Sequence, residues 1–358
     1  TKMSEVRAKK ALGQHFLVDL NIARKICDAL SGGVRPEAGA ETRAVAAGSA
    51  DADAETRTRV AGYAGAGAEA RTMAAGSADA GAEARTKATG TADADAETRR
   101  GVAASADARL AADTTAAGAP AAAEEERSGA VPCDVLEVGC GMGVLTQFLL
   151  RRGDITTYGA EIDPESVEYL HAHFPEFAPR LIEGDFLKMN LRERFPRGLK
   201  IIGNFPYNIS SQIFFKVLEH RDLVPECVGM IQKEVAVRIA EPPGSKEYGI
   251  LSVLLQAWYD IEYLFTVNET VFNPPPKVKS AVIRLRRNSV GRLGCDEALF
   301  VKVVKASFGQ RRKMIRNSLR AVFGDFGGAE HPFFTQRAEQ LSVADFVQLT
   351  DWVAANRK

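Results

Sequence analysis

Short apolar runs recur along the chain from Val131 onward, with amphipathic stretches between them. Their length and content predict buried strands at residues 135–138, 156–160, 181–184 and 199–203. Residues 144–152 carry apolar pairs at i+4 spacing, which predicts a helix that Gly153 ends. Asp163-Pro164 predicts another helix start, because Asp caps helices and Pro favours their first position. Strands that alternate with helices in this way predict a parallel, doubly wound sheet.

The pattern changes near residue 293, beyond which only helices are predicted. Residues 299–308 and 311–323 are the clearest of these helices. We therefore predict an α/β protein that ends in a small α-helical C-terminal domain.

Five consecutive 14-residue units interrupt the globular pattern; they begin at Ala40, Ala54, Ala68, Ala82 and Ala96. Each unit opens with Ala-Glu-(Thr/Ala)-Arg and continues mainly in Ala, Gly, Asp, Ser and Thr. Stacked units would bury too little apolar surface to offset the entropy lost on ordering. The composition predicts disorder or a solvated, Ala-rich helix, with a functional binding segment as the alternative, and we expect no catalytic residue in this segment.

The charge of the 358-residue chain is unevenly distributed, although its formal sum is zero. Residues 36–128 hold 10 basic and 16 acidic side chains, so the rest of the chain is basic by six. Residues 284–320 hold eleven Lys and Arg against Asp296 and Glu297, which favours a polyanionic partner. The hydrophobic content of 46% is typical of a globular protein rather than a disordered chain.

The five cysteines are scattered without a CxxC pair, which argues against a disulfide framework and a zinc site. We therefore expect a reducing, cytoplasmic location and no metal. No apolar run reaches the roughly 18 residues that span a bilayer, and the N-terminus shows no signal-peptide apolar region. We expect no membrane association.

A glycine-rich loop, Glu137-Val-Gly139-Cys-Gly141-Met-Gly143, follows the first predicted strand. Glycines let the backbone approach a ligand and expose the amides of the next helix. Val144 stands where a dinucleotide fingerprint has its last glycine, which favours a methionine carboxylate over a pyrophosphate. Taken alone, the same spacing also fits a tight structural turn.

Acidic residues follow the next two predicted strands. Glu161 stands 18 residues after Gly143, where a carboxylate can accept from both hydroxyls of a ribose. Asp185 could accept from an adenine amino group, or it could cap the residues after it. Because the carboxyl ends of parallel strands line the ligand cleft, position favours ligand roles over solvated loop carboxylates.

The segment Gly203-Asn-Phe-Pro-Tyr-Asn-Ile-Ser210 directly follows the fourth predicted strand. An exocyclic adenine amine is a poor nucleophile, because its lone pair is delocalised into the ring. The Asn204 carboxamide oxygen and a backbone carbonyl at Phe205 or Pro206 could accept its two hydrogens. Tyr207 could stack on the base, which is worth about 1 to 3 kcal/mol. The alternative is a plain strand-to-helix turn that Ser210 caps.

Together these motifs resemble the ribosomal RNA adenine N6,N6-dimethyltransferases, and among them the bacterial small-subunit enzymes of the KsgA family. The resemblance covers essentially the whole chain except the repeats. The matching residues are Gly13-Gln-His-Phe-Leu17, the glycine-rich loop, Glu161, Asp185, Gly203 to Ser210, Gln232-Lys-Glu-Val235, Lys246-Glu-Tyr-Gly249, Phe272-Asn-Pro-Pro-Pro-Lys-Val278, Gln310-Arg-Arg-Lys313 and Arg316-Asn-Ser-Leu319.

This resemblance implies a Rossmann-like methyltransferase domain that uses S-adenosylmethionine, followed by a helical C-terminal domain. It implies an N-terminal contact segment at 1–33, an insertion at 34–129, a methyltransferase core at 130–290 and a helical rRNA-binding domain at 291–358. The implied cofactor contacts are His15, mainly through its backbone, with Leu17, Gly139, Gly141, Gly143, Glu161, Asp185 and Asn204. The implied catalytic residues are Asn204, Pro206, Tyr207 and Phe272, the last as a second aromatic wall or, equally on sequence alone, a core aromatic.

Basic residues near the C-terminus are the predicted RNA contacts. Within a helix over 311–323, Arg312, Arg316 and Arg320 would share one face, where like charges cost about 0.2 to 0.5 kcal/mol per pair. A phosphate backbone would offset that repulsion, whereas the alternative is a solvated face. The opposite stripe would be Met314, Ile315, Leu319, Val322 and Phe323, and the predicted RNA-binding residues are Arg311, Arg312, Lys313, Arg316 and Arg320.

The sequence thus predicts a cytoplasmic, monomeric enzyme that dimethylates N6 of two adjacent adenosines near the 3′ end of small-subunit rRNA. Its partner would be the 30S subunit or its precursor, which implies a role in subunit biogenesis. A large-subunit rRNA methyltransferase is disfavoured by the triple proline at 274–276. A non-catalytic assembly or transcription factor would not need Asn204 or Glu161, and Val144 disfavours a dehydrogenase.

Overall fold

The computed structural model describes Val6 and residues 8–9, 12–32 and 132–357. Contacts divide the chain into two units, one of Thr1–Pro36 with Ala130–Lys358 and one of Glu37–Gly129. The second unit, which contains the five repeats, lies outside the described residues. The first unit alone is described below.

Its helices and strands alternate over most of the chain. The helices are α1 (Leu20–Asp28), α2 (Thr146–Leu149), α3 (Pro164–His173), α4 (Leu191–Arg194), α5 (Ser210–Glu219), α6 (Lys233–Ala240), α7 (Ile250–Gln256), α8 (Glu297–Gly309), α9 (Ile315–Phe323) and α10 (Val343–Asn356). The strands are β1 (Phe16–Leu17), β2 (Cys133–Val138), β3 (Ile155–Glu161), β4 (Leu181–Glu183), β5 (Lys200–Asn204), β6 (Glu226–Gln232), β7 (Tyr259–Val267), β8 (Phe272–Asn273) and β9 (Ser280–Arg287).

Seven strands form one sheet in the order β4-β3-β2-β5-β6-β9-β7. The first five are parallel, as predicted for the sheet; β2 to β5 match the four predicted strands, whereas β6 was not predicted. β9 and β7 are antiparallel additions that the sequence analysis did not identify. The predicted Rossmann-like α/β fold is confirmed.

Apolar clusters cover both faces of the sheet. Neighbouring residues of one strand enter different clusters, as Val135 and Leu136 do in β2. Val135 packs in a cluster with Ile26 of α1, whereas Leu136 packs in a cluster with Phe214 of α5. Burial on both faces explains why the parallel strands read as continuous apolar runs.

The last three helices share the cluster that covers one face of the sheet. Phe300 of α8, Leu319 of α9 and Phe346 of α10 are fully buried in it, together with sheet residues such as Leu136. Apolar packing is therefore continuous from the sheet into the C-terminal helices. The division of the chain at residues 290 and 291 stays a prediction.

Two helix predictions need correction. The helix predicted over 311–323 begins only at Ile315, because the backbone of Met314 is extended (φ −65°, ψ 152°). Met314 and Val322 are 51% and 61% exposed, so they do not belong to a buried stripe. The helix predicted over 144–152 shortens to α2, because turns of the glycine-rich loop continue to residue 145.

The chain that precedes the repeats is held at the amino ends of the central strands. Lys200 Nζ donates to the Ser31 and Gly32 carbonyls at 2.9 and 3.0 Å, and Glu226 Oε1 accepts from Ser31 N at 3.1 Å. Arg152 Nη1 donates to the Leu30 carbonyl at 3.0 Å. These bonds attach the segment that directly follows α1, and precedes the repeats in sequence, to the sheet.

Among the described helices, none has the length and apolarity to cross a bilayer.

Candidate active site

A cavity opens at the carboxyl ends of the parallel strands, where ligands bind in open α/β sheets. Loops after four neighbouring strands contribute to it, and the N-terminal segment forms a further wall. Its lining includes Leu12 to Phe16, Gly139, Glu161, Ile162, Asp185, Asn204, Pro206, Tyr207 and Asn208. Six of the sequence-predicted site residues beyond the glycine-rich loop therefore meet in one place: His15, Glu161, Asp185, Asn204, Pro206 and Tyr207.

Glu161 ends β3 and is 4% exposed. Its Oε2 accepts from Gly141 N at 2.8 Å, and its Oε1 accepts from Ile162 N and Asp163 N, both at 2.9 Å. Burial raises the pKa of this carboxyl, while the three backbone bonds favour the ionised form. The carboxylate is thereby held rigidly at the edge of the sheet, and it retains capacity to accept a further hydrogen bond.

Asp185 follows β4 and lines the same cavity. Its Oδ1 accepts from Leu187 N at 2.9 Å and caps a short 3-10 turn. Its Oδ2 lies 3.9 Å from Lys188 Nζ. The capping alternative is therefore realised with one oxygen, and the second oxygen leaves the ligand role open.

Only the first glycine of the glycine-rich loop lines the cavity. Gly139, Gly141 and Gly143 all have positive φ, at 77°, 53° and 76°. A Cβ at Gly143 would lie 2.4 Å from the ring of Phe174, so this position requires glycine for packing. Gly143 therefore serves the tight turn, whereas the backbone N–H of Gly141 donates a hydrogen bond to Glu161.

Glu137, at the start of this loop, is 1% exposed. Its Oε2 accepts from Thr146 Oγ1 at 2.6 Å, whereas Oε1 has no hydrogen-bond partner among the described residues. Burial raises its pKa to about 8. The sequence analysis noted Glu137 only as part of the motif, since nothing in the sequence signals an unpaired carboxyl oxygen.

Asn204 ends β5 with its carboxamide oriented by the N-terminal segment. Its Nδ2 donates to the backbone carbonyl of His15 at 2.9 Å. The backbone of His15 thus positions Asn204, and its expected contact with the cofactor stays a prediction. The His15 ring contacts the Pro274 carbonyl through Nδ1 at 2.9 Å, and its centroid lies 5.4 Å from that of Tyr207.

The loop after Asn204 is anchored in the core. Phe205 is 1% exposed, and its backbone N–H donates to the Met230 carbonyl at 3.0 Å. Tyr207 is half-buried, and its hydroxyl shares a 2.6 Å hydrogen bond with Ser280 Oγ. Ser280 was missed by the sequence analysis, because it lies on β9, which joins the sheet only through tertiary pairing. Tyr207 is thus held through its hydroxyl, on a loop whose backbone is anchored at Phe205.

Two predicted site residues lie in the core instead. Leu17 and Phe272 are 2% and 4% exposed and face each other as partners of the small β1-β8 sheet. Both pack in the cluster that contains Val267 and Met230. The core alternative stated for Phe272 therefore describes its packing, and the contacts of Leu17 and Phe272 with a ligand stay predictions. His15 is the ring beside Tyr207.

The predicted RNA-binding residues are used unequally. Arg311 contacts Glu339 at 3.2 Å and the Tyr248 carbonyl at 3.1 Å, so it fastens the C-terminal helices. Arg316 pairs with Glu330, and Arg320 lies 3.1 Å from Asp325. Arg312 and Lys313 precede α9 in an exposed turn, so the three arginines do not form one helical face.

The described residues contain no group of three or more His, Cys, Asp or Glu arranged to hold a metal ion.

Comparisons with a family model and with individual proteins point to the same family. Residues 132–355 match a family model described as ribosomal RNA adenine dimethylase. The chain is 61% identical over 218 residues to ribosomal RNA small subunit methyltransferase A of Parabacteroides distasonis, covering 60% of this chain and 81% of that protein. It is 59% identical over 220 residues to the protein of the same name from Porphyromonas gingivalis, covering 60% and 84%.

A solved structure is also similar. The crystal structure of a dimethyladenosine transferase from Plasmodium falciparum superimposes with a TM-score of 0.53 at 26% identity. The match covers 62% of this chain and 90% of that chain.

Proposed function

The chain belongs to the ribosomal RNA adenine dimethylase family and is an S-adenosylmethionine-dependent rRNA adenine dimethyltransferase, and we propose that it modifies two adjacent adenosines near the 3′ end of small-subunit rRNA. The names of the relatives from Parabacteroides distasonis and Porphyromonas gingivalis support the small subunit as the source of the RNA. The partner is the 30S subunit or its precursor, on which the protein acts as a cytoplasmic monomer during subunit biogenesis.

The orientation of the Asn204 carboxamide is the observation that best supports methyl transfer to an adenine amine. Because Nδ2 donates to the His15 carbonyl, Oδ1 is the remaining polar atom of a side chain that lines the cavity. A carboxamide oxygen accepts hydrogen bonds, so it suits an exocyclic amine and not a carbonyl. Asn204 therefore selects an amino group of the target base.

A second acceptor comes from the loop that follows. The Pro206 carbonyl accepts from Ile209 N at 3.2 Å, which leaves one lone pair for a ligand. Acceptors at Asn204 and at the Phe205 or Pro206 carbonyl hold both N6 hydrogens and turn the nitrogen lone pair toward the methyl group. The rate gain comes mainly from proximity and orientation.

The cavity suits the cofactor at its other end. Glu161 and Asp185 each have an oxygen able to accept from a nucleoside, Glu161 at the position of a ribose and Asp185 at that of an adenine amino group. When bound, the cofactor supplies an electrophilic methyl group on a sulfonium, which is a good leaving group. The protein holds this group in place and needs no general base, because the methylated ammonium is acidic and loses its proton readily.

The target base must leave its stack to reach Asn204. Tyr207 offers a ring for it, and the hydroxyl bond to Ser280 limits the rotation of that ring. Flipping costs a few kcal/mol and less in an unpaired loop, which favours a loop of the RNA over a duplex. Arg312 and Lys313 are the predicted cations that remain free to contact phosphate in the exposed turn before α9.

The test is methyl transfer from labelled S-adenosylmethionine to purified, undermethylated small subunits, with the label mapped to nucleotides. Asn204→Ala and Glu161→Gln should each lose about 5- to 150-fold in kcat/KM, because the loss of a buried hydrogen-bond partner costs about 1 to 3 kcal/mol. Glu183→Gln is the matched control, since Glu183 pairs with Glu161 in register but is exposed. Asn21→Ala on the exposed face of α1 controls for Asn204.

Dimethyladenosine at two adjacent positions, lost in both site variants and kept in both controls, would support the proposal. Label on purified large subunits in a parallel reaction, with none on small subunits, would show that the enzyme acts on large-subunit RNA. RNA binding without any methyl transfer would support a non-catalytic assembly factor.

A further inference from the structure

The N-terminal segment covers the cofactor side of the cavity. We call Lys9 and residues 12–16 the strap; it ends at Phe16, the first residue of β1. Leu12, Gly13, Gln14, His15 and Phe16 all line the cavity that Glu161 and Asn204 share. A ligand in this cavity therefore lies between the strap and the sheet edge.

Asp163 holds the strap, although it belongs to the loop that starts α3. Its side chain is completely buried, which is rare for aspartate unless it is paired. It accepts from Lys9 Nζ, from Gln14 Nε2 at 3.2 Å and from Ser166 Oγ at 3.1 Å. Two of its three side-chain donors thus come from the strap.

The strap is also braced internally at this point. Gln14 Oε1 accepts from the backbone N–H of Lys9 at 2.7 Å, so the carboxamide of Gln14 bridges Lys9 and Asp163. Burial opposes ionisation of Asp163, but the bonds from Lys9 and Gln14 outweigh it and hold its pKa below the usual value. The contact is accordingly an ion pair.

Asp163 connects the strap to both functional ends of the cavity. Its backbone N–H donates to Glu161 Oε1 at 2.9 Å. The loop that holds the strap therefore also positions Glu161, the carboxylate proposed to bind the nucleoside of the cofactor. One residue beyond Gln14, the His15 carbonyl orients the Asn204 carboxamide. At its end, Phe16 of the strap pairs with Asn273 in the short β1-β8 sheet.

We propose that Asp163 is a positioning residue of the cofactor site, which latches the strap closed over the bound cofactor through Lys9 and Gln14. This inference rests on the proposed function, because dimethylation of one adenosine consumes two cofactors and the strap must open between them. Cofactor affinity then depends on the fraction of molecules with the strap closed. A saturating cofactor restores closure, so a weakened latch raises the cofactor KM and leaves kcat nearly unchanged.

The experiment compares the Asp163→Asn and Lys9→Met variants, and the double variant, with the wild-type protein. We expect each variant to bind S-adenosylhomocysteine about 10-fold more weakly by calorimetry, and the double variant to be no weaker than the worse single one. The KM for S-adenosylmethionine should rise by the same factor, with kcat within about 3-fold. Glu165→Gln is the matched control, because exposed Glu165 also contacts Lys9, at 3.1 Å, and lies outside the buried latch. It should change affinity less than 2-fold, and Lys9→Arg should retain affinity.

Three results would refute the latch. They are an unchanged affinity of Lys9→Met for S-adenosylhomocysteine, additive losses of that affinity in the double variant, or a large fall in kcat at saturating S-adenosylmethionine. Since Lys9 is partly exposed, its variant keeps the test valid if Asp163→Asn fails to fold. A wild-type protein that binds S-adenosylhomocysteine but does not methylate small subunits would refute the proposed function and not the latch.

Discussion

The buried carboxyl of Glu137 should make the stability of this protein depend on pH in a way that one substitution removes. Glu137 is 1% exposed, and only its Oε2 has a partner among the described residues, at Thr146. Burial is the main cause that raises its pKa from 4.5 to about 8, and the neighbouring charge of Glu161 adds to it. The folded protein therefore keeps a proton on Glu137 at neutral pH that the unfolded chain has released.

That difference fixes the direction and the size of the effect. Between pH 4.5 and 8 the folded state binds more protons, so the free energy of unfolding falls as pH rises through this window. One pKa unit corresponds to about 1.36 kcal/mol, so raising the pH from 5.5 to 8 should cost about 3 kcal/mol through this group. Glu137→Gln cannot titrate and should lose this dependence.

Urea unfolding of the two proteins at pH 5.5, 7 and 8 measures the effect. The stability difference between them should shift by about 3 kcal/mol in favour of Glu137→Gln as the pH rises. Glu183→Gln, at an exposed glutamate, should run parallel to the wild type. A constant difference between wild type and Glu137→Gln would show that Glu137 is ionised in the folded protein, and the reasoning from burial would be refuted.

Three further predictions concern stability and the target base. Gly143→Ala should lower the free energy of unfolding by about 1 to 3 kcal/mol, because its Cβ would lie 2.4 Å from Phe174 at a φ of 76°. Glu226→Gln should cost about 3 kcal/mol in urea unfolding at pH 7, because buried Lys200 loses its carboxylate; since the pKa of Glu226 is lowered, the loss should shrink as pH falls toward 4. Tyr207→Phe keeps the stacking ring and should stay within about 3-fold of wild-type kcat/KM, whereas Tyr207→Ala should lose about 5- to 150-fold.

Each of these has an internal control. Gly153→Ala places a Cβ with no atom within 4 Å and should leave stability unchanged. Glu262, which is only partly buried and pairs with Arg284, is the control for Glu226, and its glutamine variant should cost less than about 1 kcal/mol. If Tyr207→Phe and Tyr207→Ala reduce methylation equally, the hydroxyl bond to Ser280 matters and stacking does not.

Much of the candidate site was predictable because parallel strands impose its geometry. Glu161, Asp185 and Asn204 each stand at or just after a strand, and parallel pairing brings the carboxyl ends of those strands to one edge. Local pattern was therefore enough to place all three around one cavity. The roles of these residues stay predictions until the variants are measured.

Other features depend on long-range contacts. The sequence left Phe272 open between an aromatic wall and a core aromatic, and its pairing with Leu17 in β1 and β8 buries both residues in one cluster. Met314 fits a helical stripe, but the chain turns before α9 and leaves it exposed. In each case the residue type was compatible with two environments, and only packing against distant segments chose between them.

The sequence alone predicted four buried strands that alternate with helices, and the acidic and amide residues at their carboxyl ends. These features depend on periodicity and on a chain's local conformational preferences. The tertiary structure alone decided that β9 and β7 join the sheet antiparallel, that Asn204 is oriented by the His15 carbonyl and that Asp163 is buried under Lys9 and Gln14. These contacts join residues far apart in the chain, and their energy depends on burial and on partners that no local pattern specifies.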